Sequence, residues 1–409
     1  MLYPGHTKYN EGPLQACDHY HRYREDVALM KKMGLKSYRF SVSWSRILPD
    51  GTEKINQKGI EFYQSLVREL KAAGIEPMVT LYHWDLPYAL YLQGGWKNPQ
   101  IPDWFAAYTK IVVEALSDQV QYWMTLNEPQ CFVGIGHLQG RHAPFLDEPA
   151  SLRPVTRHVL LAHAKAVQTI RQYAKLPPKV GYAPTGPVFS PCGDESEAAI
   201  AEAYRRTMEV EGCYSISWWC DPVLLGRVPE PMAKALGADV FTPQELELLH
   251  QPLDYLGFNV YNACAAQQPG SEYTANTWQG SPRTAMEWPI TPDCIYWAIR
   301  FLNQRYGRPI LITENGMANT DFVMLDGKVH DPQRIDYVHR HLLAARRALQ
   351  EGYPLIGYTY WSIMDNYEWA EGYSKRFGLI YVDYRTMERI PKDSAAWYAH
   401  VIATNGREL

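Results

Sequence analysis

The chain has 409 residues, which is long enough for one large α/β domain or for two ordinary ones. With 46% hydrophobic and 21% charged residues, it has the balance of a soluble globular protein. The net charge of −4 comes from interspersed acidic and basic residues, which argues against a nucleic-acid or anionic-membrane partner.

Short runs rich in β-branched and aromatic residues alternate along the chain with longer amphipathic stretches. The short runs predict seven strands, at Ser37–Ser43, Glu76–Tyr82, Val120–Leu126, Lys179–Tyr182, Tyr255–Asn259, Pro309–Thr313 and Leu355–Tyr360. The longer stretches predict helices at Asp26–Met33, Gly59–Ala73, Pro102–Leu116, Val155–Tyr173, Thr291–Tyr306 and Asp331–Gln350. Repeated strand–helix units indicate an α/β fold with parallel strands inside and helices outside.

A (β/α)8 TIM barrel is the architecture that fits this pattern best. No GxGxxG or GxxxxGK[ST] loop opens a helix, which argues against a nucleotide-binding doubly wound sheet. Barrels of this kind typically have ~250 residues and exceed ~400 with loop insertions. Because no low-complexity linker divides the chain, residues 1–409 are expected to form one domain.

The predicted strands are one short of a closed barrel. The usual first strand would precede Asp18, and residues 1–17 contain no candidate for it. We therefore expect this strand to be missing from the chain, unless another segment replaces it.

Cysteine and histidine usage argues against disulfides and metal sites. Seven Cys without regular spacing indicate reduced thiols and a cytoplasmic location. No apolar run approaches ~18 residues, and no signal peptide is visible at the start. The pairs His19/His21 and His339/His341 are spaced at i, i+2 on helices, so we expect solvent-facing side chains. Asp18 is expected to cap the first helix.

Two glutamates, Glu128 and Glu314, each follow an apolar strand directly. The active site of a (β/α)8 barrel lies at the carboxyl ends of its strands. Hydrolysis of a glycosidic bond needs one carboxylic acid to protonate the leaving oxygen and one carboxylate to stabilise or capture the cationic centre. Such a pair works without metal or cofactor, and Arg39 could keep Glu314 ionised. One such Glu alone would more simply be a helix cap or an ion-pair partner.

Several motifs at the strand ends resemble those of glycoside hydrolase family 1, the β-glucosidase family. They occur in family order from about Asp18 to Ala395, nearly the whole chain. They are TLNEP (Thr125–Pro129), ITENG (Ile312–Gly316), YRFSVSWSRILPDG (Tyr38–Gly51), LYHWDLP (Leu81–Pro87) and the stretch Tyr358–Asp383.

The resemblance implies a retaining β-glycosidase in which Glu128 is the acid/base and Glu314 the nucleophile. It also implies a substrate-binding set, namely Arg39, His83, Asn127, Asn259, Tyr261, Trp288, Trp361, Glu368 and Trp369.

Within this implied set, His83 and Asn127 would contact the sugar in the cleaved subsite, above a floor formed by Trp361. Glu368 and Trp369 would hold its outer hydroxyls.

Three further residues would complete the set. Tyr261 would hydrogen-bond the nucleophile, Asn259 would lie beside it, and Trp288 would line the leaving-group side. Without the motifs, His83 and the three tryptophans of the set would more simply be core residues.

The implied ligands are small-molecule β-glycosides or oligosaccharides. Family members acting on 6-phosphorylated glycosides lack the Glu found here at position 368, so an unphosphorylated sugar is expected. Plant thioglucosidases of the family replace the acid by Gln, whereas position 128 is Glu. Glucosides, galactosides and fucosides all remain open. The alternative is a weakly active or non-catalytic sugar- or protein-binding relative, because the family's first strand and its QxEG segment have no match here.

Overall fold

The computed structural model describes residues 4–266 and 280–409. Its strands are β1 (Ser37–Ser41), β2 (Glu76–Tyr82), β3 (Tyr122–Asn127), β4 (Lys179–Ala183), β5 (Val188–Ser190), β6 (Leu256–Asn259), β7 (Ala263–Ala265), β8 (Ile310–Asn315), β9 (Leu355–Tyr360), β10 (Ile380–Asp383) and β11 (Glu388–Pro391). Its α-helices are α1 (His19–Lys32), α2 (Trp44–Ile47), α3 (Gln57–Ala72), α4 (Tyr88–Tyr91), α5 (Ile101–Leu116), α6 (Leu152–Tyr173), α7 (Glu197–Glu209), α8 (Ile216–Leu224), α9 (Glu230–Leu236), α10 (Pro243–Leu249), α11 (Cys294–Tyr306), α12 (Pro332–Gln350) and α13 (Asp393–Ala403).

Seven of these strands form the wall of a (β/α)8 barrel, as predicted. Strands β1, β2, β3 and β4 pair in parallel, and so do β6, β8 and β9. The two sheets meet where Asp254 N–H donates to the carbonyl of Val180 and Asn259 N–H to that of Pro184, at 2.9 and 3.0 Å. All seven predicted strands are therefore found in one wall.

The wall has a gap between β1 and β9, which are the outer strands of the two sheets. Residues 4–17, which precede α1, form turns and a short 3-10 helix at Lys8–Asn10. Within the described part of the chain, no eighth strand completes the wall.

The six predicted helices are present as α1, α3, α5, α6, α11 and α12, although α1 begins seven residues earlier than predicted. The series α7–α10 between β5 and β6 was not predicted, and neither was the β10–β11 hairpin. No helix within the described residues is both long and apolar enough to cross a bilayer.

Asp18 occupies the N-cap position of α1, as predicted, but its carboxylate accepts from the ring of His21 at 2.5 Å and caps no backbone amide. The prediction of solvent-facing histidines was wrong at one position. His341 is buried, not solvent-facing. Its ring stacks on Tyr337 with centroids 3.9 Å apart, and its Nδ1–H donates to the carbonyl of Tyr337 at 2.6 Å. Helical spacing shows which residues share a face, but not which neighbouring element covers that face.

Candidate active site

The two predicted carboxylates lie at the carboxyl ends of their strands and are both buried. Glu128 directly follows β3 with 7% of its surface exposed, and Glu314 lies near the end of β8 with 4% exposed. The backbone of Glu128 is left-handed, with φ of 43°, and its N–H donates to the carbonyl of Ala183 at 2.9 Å. A non-glycine residue held in this region is strained, and such strain clusters at functional sites.

Glu314 is held by a cation and a phenol. Arg39 on β1 donates from Nη1 to Oε1 of Glu314 at 2.6 Å, in an ion pair whose two side chains are almost completely buried. The hydroxyl of Tyr261 donates to Oε2 of Glu314 at 2.7 Å. Each carboxylate oxygen therefore accepts one strong hydrogen bond, which fixes the orientation of the carboxylate.

Glu128 has weaker donors and no direct cation. Nδ2 of Asn259 donates to its Oε1 at 2.8 Å, and the thiol of Cys131 donates to its Oε2 at 3.1 Å. Burial, followed by the negative charge of Glu314, raises the pKa of Glu128 to about 7. Two neighbouring carboxyls whose environments differ in this way can serve as acid and nucleophile.

Asn127 connects the two carboxylate environments. Its Oδ1 accepts from Nη2 of Arg39 at 2.6 Å and from Nδ2 of Asn259 at 3.0 Å. Its Nδ2 therefore faces Nε2 of His83, at 3.1 Å. Burial and the charge of Arg39 lower the pKa of His83 to about 3, so its ring is neutral. Nε2 of this neutral ring accepts from Asn127, and Nδ1–H donates to the hydroxyl of Ser41 at 3.1 Å.

Aromatic rings line one side of this polar cluster. The ring of His83 lies 5.8 Å from that of Trp361 and 6.0 Å from that of Trp369, between centroids. Trp84 lies 5.0 Å from Trp369, and its indole N–H donates to the carbonyl of Asn127 at 3.0 Å. Flat rings beside carboxylates form a surface suited to the apolar face of a sugar.

Glu368 supplies a third carboxyl, and its Oε2 is buried without a hydrogen-bond partner among the described residues. Burial, together with the charges of Glu314 and Glu128, raises the pKa of Glu368 to about 8. Its carboxyl is therefore protonated at neutral pH and can both donate to and accept from a ligand hydroxyl.

Trp288 lies next to Tyr261, with ring centroids 5.1 Å apart, and so belongs to the same cluster. The structure thus brings together all eleven residues that the sequence singled out. A Cβ at Gly316 would clash with the carbonyl of Trp361, so glycine is required where the segment after β8 meets the segment after β9.

Cys131 and Trp84 also belong to the site but were not among the predicted residues. Cys131 follows Glu128 by three positions, and a helical turn after the strand brings side chains at this spacing together. This spacing from Glu128 is the sequence feature that could have predicted the contact. Trp84 adjoins His83 in the LYHWDLP motif. Among residues 4–266 and 280–409, no group of three or more His, Cys, Asp or Glu side chains could hold a metal ion.

A (β/α)8 barrel with paired buried carboxylates and aromatic rings at its strand ends is the architecture of a glycoside hydrolase. The chain matches the model of glycosyl hydrolase family 1 over residues 3–407, and it belongs to that family.

Similar proteins align with nearly the whole of this chain. Beta-glucosidase A of Thermotoga maritima is 42% identical over 99% of this chain and 91% of its own length. A 1,4-beta-D-glucan glucohydrolase of Thermotoga neapolitana is 41% identical over 98% of this chain and 90% of its own. The structure of a T. maritima beta-glucosidase in complex with deoxynojirimycin has a TM-score of 0.89 and 40% identity, covering 99% of this chain and 91% of that one.

Proposed function

We propose that this protein is a retaining β-glucosidase that removes terminal, unphosphorylated β-D-glucosyl residues by double displacement. The observation that carries the proposal is the difference between the two carboxyl environments. Glu314 accepts from a guanidinium and a phenol, whereas Glu128 is buried with an amide and a thiol. This difference supports Glu314 as the nucleophile and Glu128 as the acid/base.

In the first step, Glu314 attacks the anomeric carbon while Glu128 transfers its proton to the leaving oxygen. The C–O bond to the leaving group breaks, and an ester forms between the sugar and Glu314. With its pKa raised to about 7, Glu128 is largely protonated below neutral pH and can act as the acid.

In the second step, a water molecule loses its proton to Glu128 and attacks the same carbon, which releases the sugar and free Glu314. Esterified Glu314 carries no charge. One of the two causes that raise the pKa of Glu128 is therefore absent in the intermediate. The pKa of Glu128 is therefore lower in the intermediate than in the free enzyme. Its carboxylate form is favoured there and acts as the base of the second step.

The sugar-binding roles follow from the polar groups that surround the pair. His83, Asn127 and Glu368 offer hydrogen-bonding groups beside the rings of Trp361 and Trp369. The names of the relatives, a β-glucosidase and a β-glucan glucohydrolase, support glucose as the sugar that is released. The non-catalytic alternative finds no support, because these relatives are named as enzymes.

Variants of the two glutamates test the proposal. Glu314→Ala should abolish turnover of every aryl β-glucoside. Glu128→Ala should largely spare substrates whose leaving groups are very acidic, since these need little protonation. Azide should partly restore its turnover by attacking the glycosyl-enzyme. Glu114→Ala, on the exposed face of α5, is the matched control and should behave as wild type. Equal losses on good and poor leaving groups in Glu128→Ala would contradict the assignment.

A further inference from the structure

Tyr261 lies beyond the end of β6, and hydrogen bonds from other elements hold the backbone there. The N–H of Val260 donates to the carbonyl of Glu314 at 2.9 Å, which continues the pairing of β6 with β8 by one residue. The carbonyl of Val260 accepts from Nδ2 of Asn315 at 2.7 Å. The carbonyl of Tyr261 accepts from the hydroxyl of Tyr337 at 2.8 Å. The position of Tyr261 therefore depends on residues of β8 and α12.

Tyr337 belongs to α12, the helix between β8 and β9, and only 1% of its surface is exposed. Nδ2 of Asn315 lies 3.3 Å from its hydroxyl oxygen. A phenol has one hydrogen, which Tyr337 donates to the carbonyl of Tyr261, so its oxygen accepts from Asn315. The hydroxyl thus links the residue that follows Glu314 in the chain to the backbone of the residue that donates to Glu314.

The side-chain amide of Asn315 has a defined orientation within this network. Its Oδ1 accepts from the hydroxyl of Tyr358 at 2.8 Å, so Nδ2 is the group that faces Val260 and Tyr337. The result is a chain of matched donors and acceptors that runs from β9 through β8 to α12 and ends at the backbone of Tyr261. A buried polar network that is satisfied in this way is rigid.

The hydroxyl of Tyr261 lies at the end of a long side chain, so its position depends on where the backbone lies. It donates to Oε2 of Glu314 at 2.7 Å. The rings of Trp288 and Phe377 lie beside the phenol, with centroids 5.1 and 6.2 Å away, and limit its tilt. The bond from Tyr337 instead fixes the backbone from which the side chain starts. A misplacement of ~1 Å caused far from the reacting atoms can cost ~100-fold in rate.

We propose that Tyr337 is a positioning residue for the nucleophile, because it holds the carbonyl of Tyr261 and thereby keeps the hydroxyl of Tyr261 on Glu314. The proposal rests on the proposed function, in which Glu314 is the nucleophile. Among the described residues, no hydrogen bond joins Tyr337 directly to Glu314 or Glu128. Its effect on turnover must therefore pass through Tyr261, whereas a purely structural tyrosine would affect stability alone.

A double-mutant cycle distinguishes these two roles. Tyr337→Phe removes the hydroxyl and keeps the ring, and kcat/KM for a dinitrophenyl β-glucoside should fall by ~3- to 10-fold, as for the loss of one neutral hydrogen bond. In the Tyr261→Phe background the same substitution should lower kcat/KM by less than ~2-fold, because no hydroxyl remains to be positioned. Equal losses in the two backgrounds, or no loss in the wild type, would overturn the proposal.

Tyr306→Phe is the matched control for stability. Tyr306 is buried on α11, and its hydroxyl donates to Oδ1 of Asp221 at 2.9 Å. Its loss should lower the melting temperature at least as much as Tyr337→Phe does, since the lost bond ends on a carboxylate, yet kcat/KM should stay at the wild-type value. Circular dichroism at the assay temperature shows whether each variant is folded.

The control also distinguishes failure of this proposal from failure of the proposed function. An equal fall of kcat/KM in Tyr306→Phe and Tyr337→Phe would mean that lost stability alone slows turnover, which would overturn the positioning role. That result would leave Glu314 as the nucleophile, because the residue that carries a trapped glycosyl ester tests that assignment separately. A loss in Tyr337→Phe that disappears in the Tyr261→Phe background, with Tyr306→Phe unchanged, is the result we expect.

Discussion

The contribution of the Tyr261 hydroxyl to catalysis can be measured separately from that of its ring. It donates to Oε2 of Glu314 at 2.7 Å, and Tyr261→Phe removes it without changing the shape of the ring. A hydrogen bond to a charged group contributes ~1.5–3 kcal/mol. If this contribution is needed to hold the nucleophile in its reactive position, kcat/KM should fall by ~12- to 140-fold, at ~1.4 kcal/mol for each factor of ten.

Tyr182 on β4 provides a matched control. Its ring is fully buried in the same barrel, and its hydroxyl has no hydrogen-bond partner among the described residues. Steady-state kinetics with a dinitrophenyl β-glucoside measure both variants, because this leaving group needs little help from Glu128. Tyr182→Phe should retain wild-type kcat/KM. A loss below ~3-fold in Tyr261→Phe, or equal losses in the two variants, would refute the role assigned to this hydrogen bond.

Two further predictions concern pH and stability. The kcat/KM of the wild type should fall as the pH rises through about 7, because only protonated Glu128 can donate. Cys131→Ala should move this fall to higher pH, because the thiol hydrogen bond lowers the pKa of Glu128; an unmoved pH profile would contradict the contact. Lys392 is buried between Asp321 and Asp365, at 2.5 and 2.8 Å. Lys392→Ala should therefore lower the free energy of unfolding in urea by ~3–5 kcal/mol. Lys234→Ala, in an exposed pair with Glu211, should leave the free energy of unfolding nearly unchanged. Similar losses in the two lysine variants would contradict the importance of burial.

The barrel and the two glutamates at its strand ends could be predicted because both depend on short-range patterns. Apolar runs mark the strands, and the polar residues that follow them, such as Glu128 and Glu314, must meet at one end of a parallel barrel. The order of the motifs along the chain then identified the family, which the match over residues 3–407 confirmed.

The contacts within the site could not be predicted, because they join residues distant in sequence. Asn259 reaches Glu128 across 131 positions, and Arg39 reaches Glu314 across 275. Such contacts depend on side-chain rotamers and on strand register, including the register shift where β6 meets β8. The helices between β5 and β6 were missed because their amphipathic pattern does not alternate with strands. Burial of His341 likewise depends on packing that the spacing of histidines does not encode.

The identity of the nucleophile tests the central claim most directly. The fluorine of a 2-deoxy-2-fluoro-β-glucoside slows both steps, whereas a good leaving group speeds only the first, so that the sugar ester accumulates on the enzyme. If Glu314 is the nucleophile of a retaining enzyme, mass spectrometry of the digested protein should find one fluoroglucosyl group esterified to Glu314. A label on any other residue, or turnover of the ordinary substrate without any trapped ester, would contradict the account.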